Sequence, residues 1–138
     1  MAWFRRTVTG DEGIAHQYTT RLVQPDGTRV GAANITALTL TLYDERTSEI
    51  LNGRDHLAVL NTATATLTDE TISEEGSSVD ITELTWEVTA ADMAIVDDTL
   101  GSEVHIARFD FVYGVGAKPG AHEVAIRVRN LELTPGGA

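Results

Sequence analysis

Residues 81–88 alternate between polar and apolar side chains with a period of two. Successive side chains of an extended strand point to opposite faces. One face of this segment therefore carries Leu84, Trp86 and Val88, and the other face carries Glu83, Thr85 and Glu87. The pattern predicts a β-strand with one buried side.

Two more alternating segments, residues 103–113 and 121–131, flank the glycine-rich residues 114–120, which predicts a closing β-hairpin. The first strand has an apolar face of Ala107, Phe109, Phe111 and Tyr113, and the second has Val124, Ile126 and Val128. A register that pairs these faces puts charged residues on the outer surface, namely Arg108, Asp110, Glu123, Arg127 and Arg129. Opposite charges can then meet across the strands and support the register.

The other predicted strands are shorter, except for residues 36–43, where every second residue is leucine. This segment predicts a central strand. Residues 16–23 predict a first strand, and residues 49–51 predict a short strand entering the Asn52-Gly53 turn. Residues 62–68 alternate threonine with small side chains and predict a strand near a sheet edge or under a loop, whereas the acidic residues 69–80 predict a solvated loop. That loop lacks the ordered carboxylates of a calcium-binding loop, so we expect no metal there.

A helix-capping signal follows the strand at 81–88. Thr89 can cap a helical turn, and Asp92 three residues later can bond back to it, a capping box with Asp in place of Glu. The apolar residues Met93, Ile95 and Val96 follow. We therefore expect a short helical turn at the corner between two strands.

The composition limits the possible functions. The chain has 138 residues, enough for one domain with its own core, and no cysteine. Its net charge of −11 repels phosphate, which argues against nucleic-acid binding and against anionic membranes. No apolar run is long enough to span a membrane, and residues 1–6 lack the apolar region of a signal peptide, so we expect folding in a cytoplasm. The expected organisation is an N-terminal arm at 1–13, one sandwich domain at 14–133 and a C-terminal tail at 134–138.

The sequence offers little catalytic chemistry. The four histidines fall in separate segments without helical metal-ligand spacing, and His122 is expected to be a partly exposed strand residue at the hairpin mouth. No nucleophile elbow, phosphate loop or dinucleotide motif occurs. We predict that the protein is not an enzyme and has no metal or cofactor. A hydrolase built from loop carboxylates such as Asp97 and Asp98 is the weakest alternative.

Three segments resemble structural proteins of tailed bacteriophages: ITALTLTLYDERTSEILNGRD (35–55), LTWEVTAADMAIVDD (84–98) and EVHIARFDFVYGVGAKPGAHEVAIRVRNL (103–131). The middle segment is similar to the N-terminal module of phage upper baseplate proteins. The resemblance implies an all-β fold, an immunoglobulin-like antiparallel β-sandwich with a short helical turn at one corner. It also implies a non-enzymatic, multi-copy virion protein, assembled in the host cytoplasm, that decorates the capsid or forms part of the neck or tail. Its expected partners are other virion proteins and further copies of itself.

Several residues are candidates for docking. Trp3, Phe4, Arg5 and Arg6 form an aromatic and basic terminus, and such residues are enriched at interface hot spots. The alternative is a frayed end whose aromatics tuck against the sandwich. Exposed Tyr43 and Lys118 of the hairpin turn complete the predicted interface. An alternative function is a receptor- or glycan-binding module that uses loops 44–55, 69–80 or 114–120.

Overall fold

The computed structural model describes residues 4–22, 32–74, 76–114 and 116–131, which form two packed β-sheets. The strands are β1 (Phe4–Asp11), β2 (His16–Leu22), β3 (Ile35–Asp44), β4 (Leu57–Ala58), β5 (Ala65–Glu74), β6 (Ser77–Val88), β7 (Ser102–Tyr113) and β8 (Lys118–Arg129). Short 3₁₀ turns cover Ala32–Asn34 and Ala90–Met93. No helix among the described residues is both long enough and apolar enough to cross a membrane.

The strand order is that of an immunoglobulin-like sandwich. One sheet runs β1-β8-β7-β3-β4 and the other runs β2-β6-β5, so strands that follow each other in sequence repeatedly switch sheets. All the pairings are antiparallel except that of β1 with β8, which is parallel. The predicted all-β, immunoglobulin-like fold class is confirmed.

The core is built from the alternating positions that the sequence predicted. Leu38, Leu40 and Leu42 of β3 are buried against the inner faces of β6, β7 and β8. The two sheets meet where Trp86 packs edge-on against Phe109, with ring centroids 5.5 Å apart and planes inclined by 74°. β3 is paired on both edges, although its outer neighbour β4 has only two residues. The predicted strand at 49–51 is reduced to a single bridge between Tyr43 and Ile50.

Residues 4–11 belong to the sandwich, which corrects the predicted arm at 1–13, of which residues 1–3 lie outside the described residues. Residues 4–11 form β1 and pair with β8 at eight consecutive positions, from Phe4 opposite His122 to Asp11 opposite Arg129. Alternation of polar and apolar residues is weak here, so the sequence pattern concealed a strand whose hydrogen bonds are made to β8. The predicted tail at 134–138 lies outside the described residues.

Residues 69–74 and 77–80 of this acidic segment are strand residues of a sheet, so the predicted solvated loop is wrong. β5 and β6 continue as a hairpin from Asp69 opposite Thr82 to Glu74 opposite Ser77, and the turn contains Gly76 with φ of 80°. This segment also contains Thr71, Ile72 and Val79, β-branched residues that favour extended backbone. β5 is an edge strand, as predicted for residues 62–68.

Candidate functional site

The helical turn at 90–93 anchors a buried polar cluster at one end of the sandwich. The predicted capping box is present: Asp92 N donates to Thr89 Oγ1, and Thr89 N donates to the Asp92 carboxylate at 2.9 Å. This carboxylate is fully buried and also accepts bonds from two side chains of the 52–54 turn. Asn52 Nδ2 lies 2.8 Å from Oδ1, and Arg54 binds both oxygens at 3.1 and 3.3 Å. The turn after β3 and the turn after β6 are therefore tied together through one carboxylate.

These contacts determine the ionisation of Asp92. Burial by itself would raise the pKa of its carboxyl, because a charge in a dry interior is poorly solvated. Hydrogen bonds from Arg54, Asn52 and Thr89 outweigh burial and lower the pKa of Asp92 below its ordinary value. Asp92 is therefore ionised at neutral pH and neutralises the largely buried Arg54.

A second set of polar residues joins the same cluster through His105 of β7. Its Nδ1 lies 3.1 Å from the carbonyl oxygen of Asp92, and its Nε2 lies 2.5 Å from Glu103 Oε2. The Glu103 carboxylate also accepts the backbone N–H groups of Val96 and Asp97. Asp44 lies beside these two side chains, and the donor atoms of all three are within 4.8 Å of one another. We call the set of Asp44, Asn52, Arg54, Asp92, Glu103 and His105 the polar corner.

The polar corner fixes three loops to the end of the sandwich. Asp44 Oδ2 accepts Thr47 N at 3.0 Å and Thr47 Oγ1 at 2.8 Å, so it also shapes the turn after β3. Asp44, Glu103 and His105 are 2, 7 and 0% exposed, which means that few of their polar atoms can be satisfied by bulk water. Their polar atoms are therefore satisfied inside the protein, by Thr47, by the backbone N–H groups of Val96 and Asp97, and by one another.

A separate polar pair connects the two sheets under β1. The Tyr18 hydroxyl of β2 lies 2.8 Å from His122 Nε2 of β8, and both residues are buried. Burial, assisted by the nearby positive charge of Arg6, lowers the pKa of His122 to about 4. Burial also raises the pKa of Tyr18, so at neutral pH the protonated phenol can donate to a neutral imidazole. The expectation that His122 is partly exposed is wrong, because His122 shares the inward face of Val124 and Ile126.

The predicted interface residues do not form one patch. Trp3 lies outside the described residues, and Phe4, Arg5 and Arg6 are consecutive in β1, where the Arg6 side chain is exposed. Tyr43 is half-buried on β3, three strands away from β1, which is about 14 Å at ordinary strand spacing. Lys118 is exposed at the start of β8, six residues before the partner of Arg6, or roughly 20 Å along the strand.

Sequence reasoning missed most of the polar corner, although a signal was present. Glu103 and His105 have the same parity in β7 as the core residues Ala107 and Phe109, and Asp44 has the same parity as Leu42. Polar residues at inward positions of a strand must find partners inside the protein. Their burial could therefore be predicted from the sequence, but their partners come from loops distant in sequence and could not.

No family model and no curated protein sequence matches this chain. Among solved structures, a family 123 glycoside hydrolase from Clostridium perfringens matches 92% of this chain and 23% of its own, with 7% identity and a TM-score of 0.48. Mouse clustered protocadherin PcdhgC3 EC1-3 matches 93% of this chain and 31% of its own, with 11% identity and a TM-score of 0.28. Titin domain M7 matches 94% of this chain and 89% of its own, with 8% identity and a TM-score of 0.26. The chain thus spans less than a third of the first two structures, and similarity at this level carries no argument about activity.

Proposed function

We propose that the protein is a non-enzymatic structural component of a tailed bacteriophage virion. It is present in many copies and docks onto other virion proteins, either on the capsid or in the neck or tail. The resemblance of residues 35–55, 84–98 and 103–131 to phage structural proteins supports this role. The structural observation that carries the proposal is the separation of charge between the two sheets.

The sheet that contains β1, β8 and β7 is relatively basic. These three adjacent strands hold six of the ten basic residues of the chain: Arg5, Arg6, Arg108, Lys118, Arg127 and Arg129. Arg108 and Arg129 bond to Asp110 and Asp11 on the same sheet, whereas the exposed Arg127 donates to the Ser102 hydroxyl at 3.3 Å. The same three strands hold four acidic residues, Asp11, Glu103, Asp110 and Glu123, so their net charge is 6 − 4 = +2.

The opposite sheet is acidic. No lysine or arginine occurs between Arg54 and Arg108, so β5 and β6 carry no basic residue. Glu83 and Glu87 alternate with the buried Leu84 and Trp86 and thus lie on the outer face of β6. This outer face also carries threonines of all three strands, with Thr19 and Thr66 each opposite Thr85.

The outward positions hold Arg108, Arg127 and Arg129 on the first sheet, and Glu83 and Glu87 with Arg21 opposite Glu83 on the second. This difference in charge favours contacts between unlike surfaces. A basic face of one copy can meet the acidic face of the next, and a head-to-tail contact of this kind closes into rings or continues as a filament. Such complementarity steers association and fixes the orientation of the partners. A net charge of −11 also keeps unassembled copies apart until a specific contact forms. These are the properties needed by a protein that is built into a particle in many copies.

Quantitative mass spectrometry of purified phage particles tests the role itself. We expect the chain in the particle at a copy number that matches a ring or capsid symmetry. The proposal is refuted if the chain is absent from particles and is found only in the host cytosol.

Charge reversal tests the docking faces. Arg127→Glu and Glu87→Lys, both at exposed outward positions, should each reduce incorporation, and the loss should depend on salt concentration. Arg46→Glu is the matched control, because Arg46 pairs with Asp97 on a loop outside both faces. If all three variants are incorporated equally, the charged faces do not dock.

A further inference from the structure

We propose that Asp44, Glu103 and His105 form a binding site for a divalent transition-metal ion such as Zn²⁺. The site is independent of the virion role. It combines two carboxylates with one imidazole, a donor set that suits Zn²⁺. The three side chains come from the end of β3 and the start of β7, which are neighbouring strands of one sheet.

The orientation of His105 is that of a metal ligand. A carbonyl oxygen can only accept a hydrogen bond, so the contact with Asp92 O places a proton on Nδ1. Nε2 is then the ring nitrogen directed at Glu103. A backbone carbonyl that orients one ring nitrogen while the other faces the ion is the usual outer shell of a histidine ligand.

The charge of the site also favours a cation. Asp44 and Glu103 are two buried carboxylates, and in the described part of the chain no lysine or arginine forms an ion pair with either. The nearest arginine of the polar corner, Arg54, is bound to Asp92. Two buried carboxylates are costly unless positive charge accompanies them. Without an ion, these two carboxylates are held by hydrogen bonds from Thr47, from the backbone of Val96 and Asp97, and by the contact with His105.

A metal ion would require the His105–Glu103 contact to open. Ligand atoms about 2.1 Å from a tetrahedral ion are roughly 3.4 Å from each other. The His105–Glu103 contact of 2.5 Å must therefore open by about 1 Å, whereas the Asp44 carboxylate already lies within 4.8 Å of both. A water molecule would complete the tetrahedral ligand set. The turn at 45–47, which covers Asp44, is exposed and gives the ion a route from solvent.

Calorimetric titration of the chelator-treated protein with Zn²⁺ tests the proposal. We expect one ion per chain and, with excess ion, a rise of the unfolding midpoint of roughly 5–10 °C. Asp44→Asn and Glu103→Gln should abolish stoichiometric binding. His56→Gln is the matched control, because the exposed pair of His56 and Asp55 is the competing surface site. Absence of binding, or binding that survives Asp44→Asn and disappears in His56→Gln, overturns the proposal.

A second measurement covers the case in which the buried variants fail to fold. Paramagnetic Co²⁺ added to the unaltered protein should broaden the amide resonances of Val96 and Asp97, whose N–H groups donate to Glu103. Broadening confined to residues 55 and 56 would place the ion at the surface and would refute the buried site.

Discussion

Replacing Asp92 by asparagine should destabilise the protein more than its small change in size suggests. The carboxylate is fully buried and accepts bonds from Asn52, from Arg54 and from the backbone of Thr89. Asparagine has one acceptor oxygen and one NH₂ group, so at least one of these donors would face another donor. The variant also leaves the Arg54 guanidinium, whose side chain is 11% exposed, without an anionic partner.

The size of the loss follows from these two defects. Removing one partner of a buried ion pair costs about 3–5 kcal/mol, and loss of a helix cap costs about 1 kcal/mol. Because the defects share one carboxylate, we expect a total of about 4 kcal/mol rather than a simple addition. For a chain of this size the unfolding midpoint should fall by roughly 15 °C. Domains are typically stable by about 5–15 kcal/mol, so the variant should still fold at room temperature.

Urea unfolding followed by circular dichroism measures this loss. Asp98→Asn is the matched control, because Asp98 is exposed in the same connection between β6 and β7, and its replacement should change stability by less than about 0.5 kcal/mol. Arg54→Met combined with Asp92→Asn should recover part of the loss, since the unpaired charge is then removed. A loss below about 1 kcal/mol in Asp92→Asn would refute the argument that this ion pair is tightly coupled to the fold.

The pH dependence of the free energy of unfolding tests the role of the Asp92 charge independently. The pKa of Asp92 is lowered by folding, so its contribution is present above the ordinary pKa of aspartate and is lost as the pH falls through the lower folded value. The stability difference between the unaltered protein and Asp92→Asn should therefore be constant from about pH 5 to 8 and should shrink below about pH 4. A difference that persists at pH 2 would mean that the defect is steric and not electrostatic.

Three further predictions concern β1 and β8. The pKa of His122 falls from 6.5 to about 4 on folding, so the unfolded chain binds the proton first as the pH is lowered. The free energy of unfolding should therefore decrease by roughly 3 kcal/mol between about pH 6.5 and 4. Urea titrations should show a flatter pH dependence for His122→Gln, and an unchanged pH dependence would contradict this assignment. Deleting residues 1–6 removes three of the eight β1 residues paired with β8, so the unfolding midpoint should fall by several degrees. An unchanged midpoint would mean that this pairing is weak in solution. Gly120→Ala places a methyl group against the ring of Phe111 and should cost about 1–3 kcal/mol in urea unfolding, while Gly101→Ala, where a Cβ meets no atom, serves as control.

The sequence predicted the fold wherever one face of a strand is strictly apolar. Leu38, Leu40 and Leu42 are buried as expected, and the capping box at residues 89–92 was readable because both of its bonds are local. The prediction failed at residues 4–11 and 69–80, where strand formation depends on hydrogen bonds to a neighbouring strand. Strands pair through backbone hydrogen bonds, and the pattern of side chains along the sequence does not show which strand edges will pair.

For the polar corner, the sequence indicates which residues are buried but not which residues they contact. Parity along a strand tells which side chains point inward, so the burial of Asp44, Glu103 and His105 follows from their positions relative to leucine and phenylalanine. Their partnership depends on how β3 and β7 are aligned, and Asp44 lies opposite His105 only in the observed register. The Asn52-Gly53-Arg54 turn was similarly identified as a turn, but its bonds to Asp92 required the tertiary structure.

The polar corner and the charged faces can be perturbed separately, and this separates stability from docking. Asp92 and Arg54 are buried at one end of the sandwich, whereas Arg127 and Glu87 are exposed on the two outer faces. Variants of the polar corner should lower the unfolding midpoint but leave incorporation into particles unchanged at temperatures where the chain is folded. Variants of the charged faces should do the reverse. If Asp92→Asn abolished incorporation while the chain remained folded, the loops held by the polar corner, and not the sheet faces, would be the docking surface.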